Sequence, residues 1–172
     1  QQDFIKRCVQ LYDTLLARHG VIVLGATGSG KTACMRTLET AQLDLAEMYP
    51  EQWGGVRRRC VSCKSISMAK LYGAFDRGTW EWTEGVLARA VRESAEEGNL
   101  GGQSWVVFDG PLESEWVENM NTVLDDTKKL CLESGDTVLI GPHMSLLFEV
   151  DSLTCASPAT VSRCGLVFLE YA

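Results

Sequence analysis

Several features that would mark a membrane, nucleic-acid or disulfide-built protein are scarce in this sequence. No apolar stretch approaches the roughly 20 residues a membrane helix needs, so no bilayer span and no membrane partner is expected. Basic residues are too few for a polyanion partner, with 16 Lys and Arg against 23 Asp and Glu and a formal charge of −7. Nucleic acid and anionic lipid both call for a cationic surface that displaces counterions, so neither is expected to bind. The single basic run, Arg57-Arg58-Arg59, reads as a solvated edge or turn beside a strand. Histidine is limited to His19 and His143. Without a second cysteine pair or paired histidines, the lone CxxC of Cys60 and Cys63 reads as two reduced cysteines and not as a zinc site. The seven cysteines are odd in number and lack framework spacing, which predicts a reducing compartment. The opening Gln1-Gln2-Asp3-Phe4 carries no basic segment, apolar signal core or initiator Met, and predicts an excised piece of a longer chain.

What remains is ordinary globular material: 172 residues, 45% hydrophobic and 23% charged, which predicts one soluble domain able to bury its own core. Phe4 to Arg18 sets apolar residues at three- and four-residue spacings, a helix closed by His19-Gly20. Val21 to Leu24 is a short β-branched run that reads as a strand buried on both faces. Thr32 to about Met48 predicts a helix, closed off by Pro50 and Gly54-Gly55. Arg59 to Val61 is a weaker strand candidate. Trp82 to Glu97 reads as a helix stopped by Gly98 and Gly101-Gly102, and Trp105 to Asp109 as a second buried strand. Ser114 to Asp126 predicts a helix with Ser114 as N-cap. Leu130 to Leu132 and Thr137 to Ile140 predict a β-hairpin around Ser134-Gly135. Leu146 to Val150 and Leu166 to Leu169 complete the strands, with a helical turn from Pro158 to Ser162 between them. The alternation predicts an α/β fold, a parallel five-stranded sheet with helices on both faces plus a β-hairpin insert.

The chemistry is concentrated in Gly25-Ala26-Thr27-Gly28-Ser29-Gly30-Lys31-Thr32. This fills G-x-x-x-x-G-K-[ST] between a strand and a helix, the context that marks a P-loop. Small residues let backbone N–H groups turn inward around phosphate oxygens, and the helix N-terminus adds partial positive charge. Lys31 is expected on the β- and γ-phosphates of ATP and the Thr32 hydroxyl on Mg²⁺. Asp109 ends its strand where a second Mg²⁺ ligand must sit. Many P-loop ATPases of AAA+ type follow this aspartate with a glutamate that activates water; here Gly110 and Pro111 follow. Glu113 and Glu115 are expected to point elsewhere, because Pro111 turns the chain and Ser114 starts a helix. A positioned base contributes roughly 10² to 10⁴ in rate, so bound ATP is expected to persist. Length and loop alone also suit an active hydrolase or a small-molecule kinase, but the second substrate pocket and arginine-bearing lid of a kinase are not found.

The P-loop, Lys64-Ser65-Ile66-Ser67-Met68, Leu71-Tyr72-Gly73, Phe108-Asp109-Gly110-Pro111, Glu118 to Asp126, Phe148-Glu149-Val150 and Ser157 to Gly165 together resemble the second AAA+ module of a dynein heavy chain. The likeness runs nearly end to end, and its details look more like axonemal than cytoplasmic dyneins. The resemblance implies a ring of six AAA+ modules in one heavy chain and microtubule-based movement. Neighbouring modules would be its direct partners, with microtubules and dynein light and intermediate chains reached through the intact motor. It implies a place in the cytoplasm and cytoskeleton, in the axoneme of a cilium or flagellum. It further implies that Arg163 enters the nucleotide site of the preceding module as an arginine finger. Glu149 would stand near the γ-phosphate as a sensor, with Val150 the alternative alignment. Ala26 occupies a position where the family often has Pro, and the small helical lid subdomain is absent from residues 1–172.

Overall fold

A computed structural model describes residues 2–97 and 101–170. The chain runs α1 (Gln2–Ala17), β1 (Gly20–Leu24), α2 (Lys31–Met48), β2 (Val56–Ser62), α3 (Met68–Leu71), β3 (Gly73–Phe75), β4 (Trp82–Glu84) and α4 (Val86–Glu97). It continues through β5 (Gln103–Asp109), α5 (Ser114–Val117), a 3-10 turn (Glu118–Met120), α6 (Asn121–Leu124), β6 (Lys129–Cys131), β7 (Thr137–Leu139), β8 (Met144–Val150), α7 (Pro158–Arg163) and β9 (Gly165–Phe168). The expected helix stop at Gly98 lies outside the described residues.

Five strands form one parallel sheet in the order β2-β5-β8-β1-β9. Successive side chains leave a strand on opposite faces. The inner strands β5, β8 and β1 are covered on both, which is why they read as apolar runs, whereas the edge strands β2 and β9 are only partly buried. Val21, Val23, Trp105, Val107 and Leu147 pack with Cys8, Leu11, Cys34, Met35 and Leu38 of α1 and α2. Their alternates Ile22, Val106, Phe108, Leu146 and Phe148 face the other way, against α4, the α5–α6 segment and the β6–β7 hairpin. Phe108 and Phe148 stack with centroids 5.1 Å apart, and Trp116 leans on both. Burying a large apolar side chain contributes about 1.5–3 kcal/mol, so these alternating pairs lock the strand order.

The predicted five-stranded parallel sheet, the covering helices and the hairpin insert are all present, the last as β6 paired antiparallel to β7. Three local expectations are corrected. Residues 82–84 are strand and not helix, because Trp82 pairs with Phe75 across β3–β4 and packs on it edge-on at 5.1 Å. Cross-strand aromatic contact of this kind outweighs weak helical spacing. The expected helix over 114–126 is broken into α5, the 3-10 turn and α6, so that Trp116, Val117, Met120, Val123 and Leu124 all reach the core. Ser114 is the first residue of α5, with the extended Glu113 in the cap position and no side-chain cap bond. The arginine run, expected as a solvated edge or turn beside a strand, lies within β2, an edge strand, with Arg57 exposed and Arg58 and Arg59 partly buried. There Arg58 meets Glu39 at 2.7 Å and Arg59 meets Glu97 at 2.6 Å. Among the described residues no helix is long and apolar enough to cross a membrane.

Candidate functional site

The loop from Gly25 to Gly30 leaves the C-terminal end of β1 and turns directly into α2. Gly25 N–H is tied to Val150 O at 3.1 Å and Ser29 N–H to Ala26 O at 3.0 Å, which fixes the turn at both ends. Gly30 holds φ 91° at the cap position of α2, in the left-handed region that favours glycine. No side chain caps α2 and no acidic residue lies in its first turn. The N–H groups of that turn therefore keep their capacity for an anion. Lys31 is buried at 6% exposure. Its ammonium donates to Gly25 O at 2.6 Å, Ala26 O at 3.1 Å and Asp151 Oδ1 at 2.6 Å. Ser29 Oγ is buried with no hydrogen-bond partner among the described residues. An orphaned hydroxyl and a buried ammonium in a glycine-lined turn fit a group rich in acceptor oxygens, as a polyphosphate is.

Carboxylates converge on this loop from the neighbouring strand ends. Glu149, on the central strand β8, is in register with Asp109 on β5 and with Val23 on β1. Thr32 Oγ1 donates to Glu149 Oε1 at 2.5 Å. Thr27 Oγ1 donates to Asp151 Oδ2 at 2.8 Å. The Lys31 hydrogen bond, followed by the one from Thr27, holds the Asp151 carboxyl below the usual carboxylate range. Asp109 pairs with Lys64 at 3.1 Å, and that hydrogen bond raises the Lys64 ammonium above its ordinary value. Lys64, Asp109, Gly110, Glu149 and Asp151 line a cavity of about 150 Å³. The Thr32 hydroxyl on Glu149 and the carboxylates that line the cavity are hard oxygen donors, the kind that suit Mg²⁺.

Thr32 and Asp109, expected to act together, stand on either side of Glu149, each bonded to a different partner. Gly110 has φ +152°, and a Cβ there would lie 3.3 Å from Cys63 Cβ and 3.4 Å from Lys64 Cγ. The backbone after Asp109 is thus shaped for a residue without a side chain. Glu113 and Glu115 are exposed on the α5 turn and do not line the cavity. Val150, the alternative to Glu149 as sensor, is buried in the core at 2% exposure.

Arg163 lies at the opposite end of the sheet. It ends α7, whose N-cap Ser157 accepts from Thr160 N–H. It lines a cavity of about 740 Å³ with His19, Gln103 and Met144, where β1, β5 and β8 begin. The larger cavity is therefore remote from the phosphate loop, which sits where the strands end. A strand of this length separates the two by roughly 15–20 Å. Arg163 is half-buried, with Nε on Asp125 Oδ1 at 2.5 Å and Nη1 on Ala159 O at 2.8 Å.

Sequence reasoning did not single out Asp151, and it named Lys64 only within a stretch that carries the resemblance, with no role at the site. Asp151 was within reach of it, since a strand's period of two carries residues 149 and 151 toward the same side at the end of β8. Lys64 follows the end of β2, whose full length was not recognised.

This combination is a P-loop α/β domain with acidic strand ends beside the loop. The chain belongs to the dynein-related subfamily of AAA domains, whose family model matches residues 20–164. It is 46% identical over 173 residues to human dynein axonemal heavy chain 1, covering 98% of this chain and 4% of that protein. Mouse dynein axonemal heavy chain 3 is 45% identical over 167 residues, 97% of this chain and 4% of its own length. Human dynein axonemal heavy chain 12 is 45% identical over 168 residues, 97% of this chain and 5% of its own. The chain thus spans only 4% to 5% of the curated relatives it matches.

Proposed function

We infer that this chain is an ATP-holding, non-hydrolysing AAA+ module of an axonemal-type dynein heavy chain, second in its ring, with a structural and regulatory role. The observation that carries the reading is the pairing of an intact phosphate loop with Gly110 directly after Asp109. The loop offers a buried Lys31 and the open first turn of α2. The position after Asp109, where a water-activating carboxylate would stand, has a backbone that disfavours any side chain.

In this reading Gly25, Ala26, Thr27, Gly28, Ser29, Gly30 and Lys31 hold the phosphates, and Thr32 and Asp109 hold Mg²⁺, with Glu149 as the sensor beside them. Bound Mg²⁺ would neutralise phosphate charge. Thr32 would turn its hydroxyl from Glu149 to the metal, and Asp109 its carboxylate from Lys64. Arg163 acts on a neighbour's site, because its own phosphate loop lies at the far end of the sheet. Its place beside the strand starts, half-buried and close to the surface, supports that reach. The surrounding modules of the same heavy chain are its partners, and microtubules and light and intermediate chains engage the whole motor. The similarity to axonemal heavy chains supports a cytoskeletal place in a cilium or flagellum.

The test of the site is Lys31→Ala, which should weaken triphosphate binding by about 10²-fold or more, since the backbone nest cannot replace the lost charge. Calorimetric titration with ATP and Mg²⁺ in a chain that includes the lid reads this directly, and equal binding by wild type and variant would overturn it.

A further inference from the structure

Every donor of the Lys31 ammonium is already taken. An ammonium has three N–H groups, and here they go to Gly25 O, Ala26 O and Asp151 Oδ1. The second oxygen of the same carboxylate accepts from Thr27 Oγ1, so Asp151 bridges two residues of the phosphate loop. Asp151 is not part of that loop; it follows β8 and reaches in from the neighbouring strand end. A buried ammonium requires a compensating anion, and this chain supplies one from its own sequence.

We propose that Asp151 is an internal competitor of the nucleotide, an anion that occupies Lys31 and Thr27 and must swing away before phosphate can bind. The proposal rests on the nucleotide reading above. Carboxylate and phosphate oxygens are both acceptor-only anions that take the same ammonium donors at similar lengths, and two of them on one lysine repel. The exposures fit an exchange of this kind. Lys31 is 6% exposed and keeps its place, whereas the Asp151 side chain is 58% exposed and can turn into solvent as an arriving phosphate takes over the compensation of the ammonium. Lys64 lines the same cavity as Asp151 and offers a cation to the displaced carboxylate. A closed loop lowers apparent affinity by the fraction of molecules that are open, so the contact sets how much ATP the site needs before it fills.

The experiment compares wild type, Asp151→Asn and Lys31→Ala with two readouts. The first is calorimetric titration with ATP and Mg²⁺. The second, on wild type and Asp151→Asn, is the rate of amine acylation at Lys31 without nucleotide, read by peptide mass spectrometry. Asp151→Asn should bind ATP about 5- to 20-fold more tightly than wild type, and its Lys31 should label several-fold faster. If wild type binds ATP and Asp151→Asn binds it no more tightly, the competition is overturned while the nucleotide site stands. If Lys31 labels at the same rate in both, the clamp itself is overturned. If wild type and Lys31→Ala bind ATP equally, the nucleotide reading fails and the competition falls with it.

Discussion

Thr32 Oγ1 donates a 2.5 Å hydrogen bond to Glu149 Oε1, joining the first turn of the phosphate-loop helix to the end of the central strand. The contact spans 117 residues of sequence, and it explains why the site is built at strand ends. Parallel strands that all finish on one edge bring their last side chains together there, whatever their order in the chain.

Gly110 should be intolerant of any side chain. Its φ of +152° and the contacts waiting at Cys63 and Lys64 predict that Gly110→Ala lowers stability by about 1–3 kcal/mol. Thermal unfolding of the two chains at neutral pH measures this. An unchanged midpoint would mean that the backbone there relaxes freely, and that the missing glutamate is not enforced by the fold.

The loop residues were legible in the sequence because glycine, lysine and threonine at fixed spacing carry their chemistry locally. The inner strands β1, β5 and β8 were legible because burial on both faces leaves an apolar run, whereas β2, an edge strand carrying Arg57, Arg58 and Arg59, was read only over Arg59 to Val61. The β3–β4 hairpin was not, since two three-residue strands show no periodicity and depend on the Phe75–Trp82 contact made only after folding. Asp151 was missed for a related reason: its partners Thr27 and Lys31 are 124 and 120 residues away, and nothing beside it announces them. The ion pair of Arg163 with Asp125 was not legible either, because its partner lies 38 residues away and is brought close only by the fold.

Stability should fall in alkali through a half-buried thiol. Burial pushes Cys164 from 9.0 up to about 12, against the opposing pull of Arg18 and Arg163. The unfolded chain ionises this thiol near 9, so above that pH unfolding releases a proton and is favoured. The contribution is fully present below about pH 9 and is lost as pH rises toward 12. Denaturation midpoints at pH 8 and 10.5 should differ less in Cys164→Ala than in wild type; an equal drop in both would remove the thiol from the account.

Arg163 separates two magnitudes. As a finger acting on a neighbour it is worth on the order of 10³ to 10⁵ in rate, and as a partner of Asp125 about 1 kcal/mol or less. Arg163→Ala in a full motor should therefore cut total ATPase and microtubule gliding severely, with nucleotide binding in its own module intact. Asp125→Asn should leave the ATPase near wild type. Near wild-type turnover in Arg163→Ala would return the residue to its local ion pair.

The most direct measurement is single-turnover hydrolysis at this module inside an intact ring whose other nucleotide sites are disabled by substitution of their phosphate-loop lysines. With no carboxylate after Asp109, the factor of roughly 10² to 10⁴ that a positioned base supplies is missing. The nucleotide recovered from the site should remain mainly ATP long after an active module would have turned over. Recovery of ADP at the rate of an active module would contradict the account.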